Sequence, residues 1–153
     1  MKQNNLKTYV ISIAIPLLVG FIGSFATSMG MDTYALLDKP MWTPPGAVFP
    51  IVWTLLYVFM GISAARIYNG ADPSSLGLYV LQLVLNGIWS YLFFGAGWYF
   101  FSFLWIVVLW FVVFTMVQEF YKVDKVAAVL QIPYLIWLTI AGLLNLSIWF
   151  LNR

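Results

Sequence analysis

The stretch that decides the fold is Phe93-Phe94-Gly95-Ala96-Gly97-Trp98-Tyr99-Phe100-Phe101. It lies inside a charge-free run that extends from Pro73 to Gln118. A bilayer core about 30 Å thick takes about 20 mostly apolar residues per helix. The run is therefore long enough for two spans, and Gly95-Ala96-Gly97 is the natural break between them. Three more charge-free runs flank it: Tyr9–Met31, Thr43–Ala65 and Val126–Asn152. Together they predict five transmembrane helices, at about 9–29, 46–66, 76–94, 98–121 and 126–151. A membrane barrel does not fit, because the runs are continuously apolar and lack in/out alternation. The expected fold is an all-α membrane protein, a five-transmembrane-helix bundle forming a single domain over residues 1–153.

Composition agrees. Hydrophobic residues make up 63% of the chain and charged residues 8%, against about 25% charged in a soluble domain. Seven Lys+Arg against five Asp+Glu give a net charge of +2, which leaves no basic face for nucleic acid. The sequence contains no Cys and no His, so thiolate nucleophiles, the usual zinc sites and imidazole acid–base chemistry are excluded. Aromatic residues reach 20%, with eight Trp, more than an interfacial belt needs.

The first span reads as a retained helix. Lys2 and Lys7 precede it, but its apolar run is longer than the 7–15 residues of a signal peptide. With five spans, the N-terminus shares a side with the loops at 66–75 and 122–125. That side carries Lys2, Lys7, Arg66, Lys122 and Lys125, and the other only Lys39 and Arg153. The positive-inside rule then puts the N-terminus in the cytoplasm and the C-terminus outside. The longest connection, about 30–45, also falls outside. It is longer than a helix–helix connection requires and rich in apolar residues, so it is expected to be a structured loop, either closing the bundle or covering a cavity. Pro16 and Pro133 lie within spans and are expected to kink helices one and five.

Polar residues set the faces. Asn and Gln in a span turn toward the bundle, so Asn86 and Asn145 orient their stripes inward, and Trp89 and Trp137 go with them. At 1.5 Å per residue, Trp53, Trp89, Trp105 and Asn145 lie within roughly 10 Å of the outer helix ends, Asn86 about 12 Å and Trp137 about 20 Å. Such depths suit a pocket beneath the long loop. The asparagines also have a purely structural reading, as ties between helices.

Lys39-Pro40-Met41-Trp42-Thr43-Pro44-Pro45, then Val52-Trp53-Thr54-Leu55-Leu56-Tyr57 and Met60-Gly61, resemble the signature of the translocator protein family. Its bacterial members are the tryptophan-rich sensory proteins, and its older name is peripheral-type benzodiazepine receptor. Gln82-Leu83, Leu85-Asn86, Trp89 and Phe93-Phe94-Gly95 are similar to its third helix; Pro133-Tyr134-Leu135, Trp137-Leu138, Ala141 and Leu144-Asn145 are similar to its fifth. The resemblance covers about residues 20–150.

It implies a homodimer in the bacterial cell membrane with one cavity per chain, binding protoporphyrin IX, isoquinoline carboxamides or benzodiazepines, with no cofactor or metal required. Carried over by position, the ligand would meet Tyr34, Trp53, Asn86, Trp89, Ser90, Phe93, Trp105, Trp137, Ala141 and Leu144. Span four, which holds Trp105, is the segment least like the family. Some members degrade protoporphyrin IX in light and oxygen, with two cavity tryptophans implicated, here Trp53 and Trp137. Indole is the side chain most readily oxidised by one electron, so a radical relay is chemically reasonable, although both rings can equally serve only as wall. Passive transport of tetrapyrroles is the competing reading; no ionisable residue lies mid-span to couple it to protons. Two departures stand out. The animal sterol motif, a Tyr followed by a basic residue, is missing from Leu144–Phe150, and the small residues by which relatives pair their third helices are Leu81 and Val84 here.

Overall fold

A computed structural model describes residues 5–153, which are helical and contain no strand. The break at Gly95-Ala96-Gly97 is present and has a defined geometry. Helix α3 (Leu76–Ser90) widens into a π turn over Tyr91–Gly95, closed by Ala96 N–H donating to the Tyr91 carbonyl at 2.8 Å. Gly97 then takes φ +68°, a conformation that strains any side chain, and the chain reverses into α4 (Tyr99–Val123). The other α-helices are α1 (Asn5–Leu36), α2 (Val48–Tyr68), the short α5 (Lys125–Val129) and α6 (Ile132–Asn152), and a 3-10 turn over Pro73–Ser75 leads into α3. Among the described residues, five helical segments are long and apolar enough to cross a membrane, α5 and α6 together making the fifth.

Two expectations need correction. The first helix does not end near residue 29 but continues to Leu36, so the connection to α2 begins at Leu37 and is shorter than expected. Nothing in Met31–Leu36 breaks a helix, and the end is set by Lys39, whose Nζ donates to the carbonyls of Tyr34 and Leu37, both at 2.9 Å. The connection is structured, as expected: Thr43 N–H and Oγ1 both bond the Pro40 carbonyl, and the Asn152 side chain pairs with both backbone groups of Asp38. The second correction concerns Pro133. It does not sit inside a continuous helix; the chain turns at Leu130–Gln131, and Pro133 occupies the first turn of α6, where a missing N–H leaves no bond unmade.

Pro16 stays within α1, which runs through it. Proline cannot bond the carbonyl four residues earlier, that of Ser12. α2 packs tightly against this point: a Cβ on Gly61 would lie 2.7 Å from the Ser12 carbonyl oxygen. Glycine is what permits the approach.

The spans close into a ring. α1 packs on α2, on α3 and on the π turn; α4 packs on α3 and α6; α2 meets the fifth span at α5. One end of the bundle carries the 37–47 connection and the C-terminus, joined by the Asp38–Asn152 bonds; Lys2, expected on the other side with the N-terminus, lies outside the described residues. That other end is tied by Arg66–Asp124 at 2.9 Å, with Asp124 also capping α5 through Val126 and Ala127 N–H. The main core, including Met60, Val113, Met116 and Phe120 at zero exposure, fills the bundle from this end to its middle. A smaller cluster around Phe93, Leu144 and Ile148 sits near the loop end. Between the two is a cavity.

Candidate functional site: an aromatic cavity

The cavity has a volume of about 570 Å³, within the range of small-molecule sites. One wall comes from α2 and α6. Trp53 stacks on Tyr57, with centroids 5.6 Å apart and planes at 26°, and meets Trp137 edge-on at 6.4 Å and 90°. Phe49 meets Trp137 edge-on, with centroids 5.6 Å apart. The opposite wall comes from the end of α3. Trp89 stacks on Phe93 at 5.2 Å, and Tyr34 of α1 lies 5.7 Å from Phe94. A π turn advances each residue by a smaller angle than an α-helix does. Consecutive Phe93 and Phe94 are thereby both brought onto the cavity.

Hydrogen bonds lock this wall from behind. Tyr57 Oη donates to Asn86 Oδ1 at 2.8 Å, Asn86 Nδ2 to Tyr134 Oη at 2.9 Å, and Tyr134 Oη to Gln82 Oε1 at 2.8 Å. Trp89 Nε1 donates to Asn145 Oδ1 at 3.1 Å, and Asn145 Nδ2 to the Tyr99 carbonyl at 2.7 Å. Both asparagines thus tie helices together. An amide has two donors and a doubly accepting oxygen, so Asn86 retains capacity for a ligand. One group differs: the Trp137 indole N–H is buried in the cavity wall with no hydrogen-bond partner.

Nine of the residues singled out from the sequence line this one space: Tyr34, Trp53, Asn86, Trp89, Ser90, Phe93, Trp137, Ala141 and Leu144. Trp105 does not. Its Nε1 donates to the Leu85 carbonyl at 2.8 Å and its ring lies beside Phe101, on the α3–α4 contact and away from the cavity. Depth along the helix had favoured it, but depth says nothing about which way a residue faces.

Apart from Tyr34, the sequence reading missed the α1 side of the cavity. Gly20, Gly23, Ser24, Thr27 and Ser28 line it. Their spacing of i, i+3, i+4, i+7 and i+8 is one helix face made of small residues, and that signal was available. The exposed lining residues, among them Phe21, Ser24, Ser28, Pro50 and Thr54, all belong to α1 or to the start of α2 and the residues just before it. The cavity therefore opens sideways between these two helices.

A profile of the TspO/MBR family matches residues 12–150. The chain belongs to the TspO/MBR family. Every cavity residue, from Leu17 to Ile148, falls within the matched range. A tryptophan-rich protein TspO of Chlorobaculum tepidum is 39% identical, covering 98% of this chain and 99% of its own. Protein CrtK of Rhodobacter capsulatus is also 39% identical, over 78% of each chain. The human translocator protein is 35% identical over 88% of this chain and 83% of its own. The TspO/MBR chain described here is thus a membrane protein similar to proteins named as sensors and translocators.

Proposed function

We propose that this protein is a membrane receptor for protoporphyrin IX and related flat, largely apolar ligands, including isoquinoline carboxamides and benzodiazepines. The observation that carries the reading is the cavity of about 570 Å³ walled by the rings of Trp53, Trp89, Phe93 and Trp137. A cavity of this size buries most of a small ligand's surface, and a flat, largely apolar ring system stacks on indole faces such as those of Trp53 and Trp89. The sideways opening suits ligands that partition into the membrane before they bind. Trp53 and Trp137 in edge contact also suit a light- and oxygen-dependent breakdown of the porphyrin, in which an indole relays one electron. No bound cofactor or metal is needed. The setting is a bacterial cell membrane, with the N-terminus cytoplasmic, the C-terminus outside and two copies forming a homodimer.

Passive transport of tetrapyrroles fits less well. The main core fills the end of the bundle opposite the loop, with Val113 and Phe120 at zero exposure, so the cavity continues into no second opening there. Purified protein in liposomes distinguishes the readings. Saturable porphyrin binding without protein-dependent flux in the dark is the expected outcome; protein-dependent flux would favour transport.

A further inference from the structure

We propose that Lys39 is a specificity residue that pairs with a carboxylate of the ligand at the loop end of the cavity; the assignment rests on the receptor reading of that cavity. The cavity lining contains no charged side chain, and a carboxylate held there without a partner is strongly disfavoured. Protoporphyrin IX carries two carboxylates, each on a short flexible arm. Its ring system can therefore enter only with the arms directed out of the lining. One cation waits beside it. The half-buried Lys39 places its ammonium 4.7 Å from the centre of the Tyr34 ring, and that ring lines the cavity next to Phe93 and Phe94. The other described cations are placed elsewhere. Arg66 and Lys122 pair with Asp124 and Glu119, and Lys125 lies over Tyr121, all at the end opposite the loop. Arg153 lies over Trp149 and Phe150, neither of which lines the cavity. Lys7 sits in the first turn of α1, nearly the whole helix away from Tyr34.

The charge on Lys39 is not neutralised within the chain. Of its three N–H groups, two donate to the carbonyls of Tyr34 and Leu37, both at 2.9 Å. Those carbonyls and the Tyr34 ring are neutral partners, so the full positive charge and one N–H remain for a ligand. Among the described residues no carboxylate pairs with Lys39; its neighbours Asp32 and Asp38 are exposed and form no ion pair. The two carbonyl bonds also hold the ammonium in place, so an arriving carboxylate meets a charge that is already positioned. Neutral isoquinoline carboxamides and benzodiazepines gain nothing from this anchor. Lys39 thus sorts anionic from neutral ligands of one cavity, while the aromatic wall accepts both.

The test compares protoporphyrin IX with its dimethyl ester, which keeps the ring system and removes both charges. Dark titrations use the full-length protein in nanodiscs of zwitterionic lipid, where no anionic headgroup competes for Lys39. The readout is the ratio of acid to ester affinity. Lys39→Gln, which can still donate to the α1 carbonyls, should lower this ratio about fivefold, the scale of a partly exposed ion pair, and Lys39→Arg should restore it. In the unmodified protein, added salt should weaken binding of the acid and not of the ester, a check that stands even if a variant does not fold. A ratio that Lys39→Gln leaves unchanged, including one in which both affinities fall together, would overturn the proposal and leave Lys39 only as the tie at the end of α1. An acid affinity insensitive to salt would overturn it too. Saturable binding of neither compound would defeat the receptor reading and the pairing with it, whereas binding of both at one ratio in all three proteins would defeat the pairing alone.

Discussion

Trp53 and Trp137 stand 6.4 Å apart at right angles, and their shared role makes the sharpest residue-level prediction. Replacing both with Phe keeps an aromatic wall, so dark porphyrin affinity should change by no more than several-fold while any light-dependent loss of porphyrin absorbance disappears. Unchanged bleaching in the double variant contradicts the relay. Asn86→Ala makes a different prediction, because its side chain holds Tyr57 and Tyr134 together. Losing both bonds should destabilise the protein by about 1–2 kcal/mol, read as a lower thermal midpoint in detergent, and should weaken isoquinoline carboxamide binding. A midpoint equal to that of the unmodified protein would show that the chain of hydrogen bonds carries no weight. The inward direction of Asn86 and Asn145 was legible because an amide in lipid must find a partner. What their partners are was not, since Tyr57, Tyr134 and Tyr99 come from other helices. The unpaired Trp137 N–H is likewise invisible to any reading of one helix at a time.

At the scale of elements, continuous apolarity marked the spans, and Gly97 with its positive φ marked the reversal between two of them. The ends of α1 and α6 were harder to read. Hydropathy falls near Met31, but the helix continues until Lys39 folds back on its last carbonyls. Pro133 signals a helix start as readily as a kink, and only the turn at Leu130–Gln131 decides between them. The far end of the bundle depends on Asp124. Partial burial raises its pKa, but hydrogen bonds from Ala127 and Val126 N–H and the adjacent Arg66 guanidinium outweigh this and hold it below the ordinary carboxylate value. A depressed folded-state pKa stabilises the protein fully above the unfolded carboxylate range, about 4, and the stabilisation is lost as pH falls through the folded value. Asp124→Asn should therefore lower the thermal midpoint at pH 7, and the gap from the unmodified protein should close as the pH falls below about 4. A gap that persists in acid would assign the loss to something other than the carboxylate charge.

At the scale of the whole molecule, the ring of spans leaves its centre filled at one end and hollow near the other. α2 meets the fifth span at α5, while α6 packs on α4, and the cavity lies between the parts of α2 and α6 nearer the loop. This arrangement concentrates much of the chain's aromatic excess in the wall around one cavity, leaving others, such as Trp42 and Trp98, exposed near the loop end. Ala141 lies in that wall, buried and small, so a larger side chain there intrudes on bound ligand with little demand on the rest of the fold. The direct test is a dark titration of protoporphyrin IX against the unmodified protein and Ala141→Leu, followed by porphyrin absorbance and quenching of tryptophan fluorescence. The unmodified protein should show saturable binding at one porphyrin per chain, with Ala141→Leu weaker by about tenfold, the equivalent of about 1.4 kcal/mol. Binding that does not saturate, or that is identical in the two proteins, would contradict the cavity as the ligand site.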